Sequence, residues 1–226
     1  MLQQADNAAA MLPEVKSLYV HLHYSPPFIS PGWELLMFKV LEQIDGNWVE
    51  RDSPAVFCRE ATSDGGERLR VSLPREEAFL LFKLVEALRP PFQLLYVLHT
   101  PRGEGEAGRY QSPPLSRTQT QDFLRRFEAF FLADARYDLW VRSASSGDVI
   151  VWDRHNDLCV YGGLVDIAER LMQLGFQEGS PPSIGPHQHH YRREFDGEAA
   201  EVLSSFNWHR TPLRPEDQQF SPPPSE

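Results

Sequence analysis

The chain has 226 residues, 41% hydrophobic and 12% aromatic, with 32 acidic against 22 basic side chains and a formal charge of -10. That is enough apolar material to bury on the order of 70% of the unfolded surface, while the negative balance repels a phosphate backbone and argues against nucleic acid as partner. No apolar run approaches the roughly 20 residues of a membrane span; even the stretch from Ala78 to Leu88 is broken by Lys83 and Glu86.

The start, Met1 to Pro13, carries Asp6 and has neither a basic segment nor a long apolar one, so no secretory signal is expected and residues 1–16 read as a flexible N-terminus. Ser17 to Tyr24 then alternates, with Leu18, Val20, Leu22 and Tyr24 on one face and Tyr19, His21 and His23 on the other, the period of a strand. Pro26, Pro27 and Pro31 end it. Asp45-Gly46-Asn47 before Trp48 and Val49 is a hairpin signal, which makes strands of the residues on both sides. Ala55 to Arg59 and Arg68 to Leu73 are two further strands.

A helix is expected from about Pro74 to Arg89, with Pro74 in its first turn and Leu81, Leu84, Val85 and Leu88 as its apolar stripe, stopped by Pro90 and Pro91. Phe92 to His99 reads as a buried strand. Thr100 to Ser116, rich in Gly, Pro, Arg and Glu, reads as a loop or interdomain connection. Its Gly103-Glu104-Gly105-Glu106 run resembles a phosphate-binding loop only superficially, since acidic residues would repel the phosphate, and it is expected to be a flexible surface loop.

A second helix, about Gln119 to Ala133, has Thr118 and Gln121 at capping-box spacing and carries Phe123, Leu124, Phe127, Phe130 and Phe131. Strands follow at Asp138 to Arg142, Val149 to Trp152 and Leu158 to Tyr161, the last two joined by the polar turn Asp153-Arg154-His155-Asn156-Asp157. A helix from Leu164 to Leu174 ends at Gly175. Residues 187–195 are expected to be extended, Asp196 to cap a short helix burying Val202, Leu203 and Phe206, and residues 211–226 to form a loose Pro-rich tail.

These elements define an α+β chain, mainly antiparallel, with a single globule over 17–210. Its segments 17–99 and 117–210, joined by 100–116, share an order of elements that a βββαβ duplication would produce. Cys58 and Cys159 lie in apolar runs without a CxxC spacing and are expected to be free thiols in a reducing, cytoplasmic setting.

Histidines carry the sharpest chemical signal. His21 and His23 stand two apart, as do His187 and His189, and on a strand each pair projects two imidazoles to one side, about 6 to 7 Å apart. A zinc-like divalent ion needs three or four such donors at about 2.0 to 2.2 Å, so the two pairs together form a candidate four-histidine metal site, with Glu194 or Asp196 placed to orient a ring. The plain alternative is that all four face solvent. Arg154 and His155 in the polar turn are candidates for contact with an anionic group or a protein partner, although Asp and Asn there also serve the turn's own backbone. Trp208, beside His209 and Arg210, is the tryptophan best placed to be partly exposed and is a candidate binding residue, whereas Trp140 and Trp152 read as core.

No G-x-S-x-G elbow, P-loop or strand-linked G-x-G-x-x-G is present, so no catalytic residue is assigned. Two functional expectations follow. The first is a non-enzymatic, cytoplasmic interaction module, for example an acidic immunity or inhibitor protein steered onto a basic protein partner, with no cofactor. The second is a metal-dependent hydrolase or metal-binding protein built on His21, His23, His187 and His189.

Overall fold

A computed structural model describes residues 39–77 and 79–217. The expected strand at Ser17 to Tyr24, with His21 and His23, lies outside them. The described residues form an α+β fold with mostly antiparallel strands in two sheets.

The smaller sheet starts from the hairpin. Strands β1 (Val40–Ile44) and β2 (Asn47–Glu50) pair around Asp45 and Gly46, whose φ values of 51° and 81° are both left-handed. Such a turn matches the natural twist of the strands it joins. Strand β11 (His187–His189) adds antiparallel to the other side of β1, with Val40 opposite His189 and Glu42 opposite His187.

The larger sheet has nine strands. Those so far unnamed are β3 (Val56–Ala61), β4 (Glu67–Ser72), β5 (Phe92–Leu98), β6 (Gly108–Gln111), β7 (Tyr137–Ser143), β8 (Val149–Trp152), β9 (Asp157–Tyr161), β10 (Gln177–Glu178) and β12 (His209–Thr211). They run in the order β10-β3-β4-β9-β8-β7-β5-β6-β12, and β10 alone is parallel to its neighbour. Strands of the two segments compared above as halves therefore interleave, β4 against β9 and β5 against β7. The central strands are buried on both faces: Leu94, Tyr96 and Leu98 on one side of β5 with Val97 on the other, and Ile150, Val151 and Trp152 on β8.

Helices α1 (Leu80–Val85) and α4 (Leu164–Gln173) lie over β8 and β4. The first is shorter than its apolar pattern implies, because a 3-10 turn at Arg75–Glu77 replaces its start, yet Leu81, Leu84, Val85 and Leu88 are all buried. The long phenylalanine-rich helix is two, α2 (Arg117–Arg126) and α3 (Glu128–Ala133), and its capping box sits earlier than expected. Ser116 Oγ accepts from the Gln119 amide and Gln119 Oε1 accepts from the Ser116 amide. Phe123, Phe127, Phe130 and Phe131 pack on one another, on Tyr137 and on Phe206 and Trp208.

Three loop expectations need correction. Residues 100–116 contain β6, which pairs with both β5 and β12, so this stretch is part of the sheet. Within it Glu104, 1% exposed, is held 3.1 Å from the guanidinium of Arg136, itself fully buried, which anchors what reads locally as a flexible glycine loop. Asp196 does not cap its helix, α5 (Asp196–Ser204): its carboxylate accepts from Arg102 and Arg136 instead, and of the residues expected to be buried there Val202 is, while Leu203 and Phe206 are half-buried. The start of the tail is also tied down, since Asp217 accepts from Arg109 at 2.6 Å with both side chains largely covered. In each case the partner is far away in sequence, where local composition carries no trace of it.

Cys58 and Cys159 are free thiols. No described helix is long and apolar enough to cross a membrane.

Candidate metal centre

The two histidines of β11 are where pleating puts them, on one face of the strand, with Gln188 exposed between them. A third imidazole joins them. His155, expected to meet a partner or an anion, sits in the β8–β9 turn, and its ring centroid is 5.0 Å from that of His187 and 4.9 Å from that of His189; the latter two are 5.0 Å apart. The three rings thus form a nearly equilateral, half-buried triangle with one donor nitrogen from each within 4.8 Å of the others. Donors on a tetrahedral zinc ion stand about 3.3 Å apart, from bonds of about 2.0 to 2.1 Å, so small side-chain rotations close the triangle onto an ion.

Nδ1 of each ring has a polar neighbour. Asp153 Oδ2 lies 3.1 Å from His155 Nδ1, and the Gly185 carbonyl lies 2.9 Å from His187 Nδ1. The Tyr191 hydroxyl makes a longer contact, 3.5 Å, with His189 Nδ1. For His155 and His187 the acceptor at Nδ1 draws the proton there and leaves the Nε2 lone pair for a metal, the arrangement that fixes tautomer and aim in metal-ligating histidines. His189 Nε2 is buried and has no hydrogen-bond partner. An orphaned buried acceptor of this kind costs roughly 1 to 3 kcal/mol, which a metal ion would recover. Burial, reinforced by the charges of His155, Arg154 and His187, pushes the His189 imidazole down to about 3 and keeps it a neutral donor.

The turn that presents His155 is built by Asp153. Its Oδ1 accepts from the amides of His155 at 2.8 Å and Asp157 at 2.9 Å, and Asn156 takes the left-handed φ of 65° that closes the loop. Burial alone would raise the Asp153 carboxyl, but the hydrogen bond and charge of His155, the Asp157 amide and Lys39 hold it below the usual range. Asp138 fixes the turn from the side, accepting from the Arg154 amide at 2.9 Å and pairing with His99 Nε2 at 2.9 Å.

Two buried basic side chains hold the turn against β11, and neither has a local sequence signal. Arg51 donates to the carbonyls of His155 at 2.7 Å and Pro182 at 3.1 Å, and its guanidinium lies 3.2 Å from Asp157. Lys39 bridges both ligand-bearing segments: its carbonyl accepts from the His190 amide at 2.8 Å, and its ammonium donates to the Asp153 carbonyl at 3.2 Å while sitting over Trp152 and Tyr137.

Burial pushes Lys39 down to about 7 from its ordinary 10.5, against the opposing pull of Asp153, Asp138 and Asp134. Between those values the unfolded chain holds a proton the folded one has released, so stability contributed by this group rises with pH across that window and is lowest below 7. Relative to a Lys39→Met variant, the metal-free protein should gain on the order of 4 kcal/mol between pH 7 and 10. Denaturant titrations at several pH values measure it; parallel profiles for the two proteins would refute it.

Of the remaining expectations, Asp196 is committed to Arg102 and Arg136, and the ring-orienting carboxylate is Asp153. Trp208 is half-buried, its indole N–H donating to the Val202 carbonyl at 3.0 Å. Trp152 is core, whereas Trp140 is half-buried beneath the Arg109 guanidinium.

Comparison with protein-family models, with curated proteins and with solved structures finds no match to this chain. Fold and site together therefore define a class only: an α+β protein carrying a three-histidine cluster between a sheet turn and a short strand.

Proposed function

We propose that this protein binds a divalent transition-metal ion of the zinc type through His155, His187 and His189. The observation that carries this reading is the triangle of half-buried imidazoles, two with Nδ1 held by an acceptor and one with an orphaned buried Nε2. Imidazole donors without carboxylates favour zinc, copper, nickel or iron over magnesium and calcium, which take oxygen. The acidic interaction module has only overall charge in its support, and such charge serves solubility in many proteins.

Protein purified without an affinity tag, exposed to excess zinc and then dialysed, should retain one equivalent by elemental analysis. Retention below about a tenth of an equivalent would end the proposal, since a preformed site should outcompete dialysis. A His21→Ala, His23→Ala double variant tests the wider four-histidine set: full retention assigns coordination to the triad, and loss would bring the N-terminal pair into the site.

A further inference from the structure

We infer that the ion held by His155, His187 and His189 keeps an exchangeable position that takes a small oxyanion, the terminal oxygen of a carboxylate or phosphate group. The inference rests on the metal reading above and specifies what that site is for.

Coordination number is the first argument. Among the described residues, these three histidines are the only group of three or more His, Cys, Asp or Glu side chains whose donor atoms gather within 4.8 Å of one another. Zinc with three protein ligands holds a water or substrate in its fourth position, unlike the closed four-ligand sites that serve structure.

Charge is the second. Three neutral imidazoles leave the ion's double positive charge undiminished, and an ion in that state acidifies its water and attracts anions in place of it. The nearby carboxylates keep their charges, but Asp157 and Glu42 face arginines, and the single charge of Asp153 offsets only half of the ion's. Asp153 is taken by His155 and the turn amides, Asp157 by Arg51 and Arg70, and Glu42 by the Gly185 amide with Arg51 at 3.9 Å. Arg51 donates to the His155 carbonyl, and Arg154 is the next residue along the turn from Asp153. A locally positive spot thus stands in a protein whose total charge is -10. Electrostatic focusing then acts on anions small enough to approach within a few ångströms and not on a polyanion, which meets the whole acidic surface.

Access is the third. All three ligand residues are half-buried, with His189 Nε2 itself covered, so the cluster lies at the edge of the protein interior.

Cobalt(II) serves as probe, since its visible bands report coordination at a site made for zinc. Full-length protein loaded with one equivalent of cobalt is titrated with acetate, with inorganic phosphate and, at matched ionic strength, with perchlorate, a poor ligand. A saturable band shift with acetate or phosphate in the millimolar range, absent with perchlorate, is expected, and the tighter of the two distinguishes a carboxylate from a phosphate ligand. Cobalt bound with an imidazole-type spectrum that neither anion alters would overturn this inference and leave metal binding intact. An equal response to perchlorate would likewise overturn it. Failure of cobalt and zinc to bind at all would overturn both.

Discussion

Replacing His189 by Ala should lower zinc affinity roughly a thousandfold, equivalent to about 4 kcal/mol. Its Nε2 is the one donor of the triangle that is buried without a partner, so it has the most to gain from an ion and its loss removes a third of the ligand set. The metal-free variant behaves differently. Removing an unsatisfied buried group relieves a penalty of roughly 1 to 3 kcal/mol, so a His189→Leu protein should be at least as stable without metal as the parent. The two proteins should part company when zinc is added, because a ligand that binds only the folded state stabilises in proportion to the logarithm of its concentration over Kd. The parent's melting temperature should climb with zinc and the variant's should stay flat. Asp153→Asn supplies an intermediate case: it keeps the donor but weakens its orientation, and losses of about 10- to 100-fold are usual for such partners. Equal zinc affinity in the parent and His189→Ala would remove the site.

The second large effect is structural. Asp134→Ala should cost about 3 to 5 kcal/mol of folding stability, because it takes the two-point carboxylate from a buried guanidinium and orphans the Arg136 and Arg192 amides, a large share of the roughly 5 to 15 kcal/mol that holds a domain together. Asp134 and Arg136 are both fully buried, with the guanidinium gripping the carboxylate at 2.8 Å through Nε and 2.8 Å through a terminal nitrogen. Arg136 also donates to Glu104, Asp196 and the Arg192 carbonyl, so the pair gathers a loop, a helix start and the segment after β11 around one charge. Asp134 further accepts from the Arg192 amide at 2.7 Å, and the Ala135 amide donates to His190. The strand bearing two of the histidines is therefore moored here, and zinc affinity should fall along with stability. Urea denaturation of the metal-free variant checks the first effect and competitive zinc titration the second. A loss below about 1 kcal/mol, the scale of an exposed ion pair, would show that the cluster does not hold these segments.

What the sequence by itself determined were features set by residues near one another: the apolar run that makes Phe92–Leu98 a strand, the helical spacing of Ile167 and Leu171, the hairpin turn at Asp45 and Gly46, and the same-face projection of His187 and His189. Local steric and hydrophobic rules decide these, and they act within a few residues. Tertiary structure alone decided which imidazole completes the cluster. His155 reaches β11 only because β11 pairs with β1, whose neighbour Lys39 grips the Asp153 carbonyl, and because Arg51 clamps the turn to the Pro182 loop. Tertiary pairing likewise made strand β6 within a stretch that reads as loop and gave Glu104 a buried cation. Pairing register and buried charge are settled between segments far apart in the chain, by burial and hydrogen bonding that no window of sequence contains.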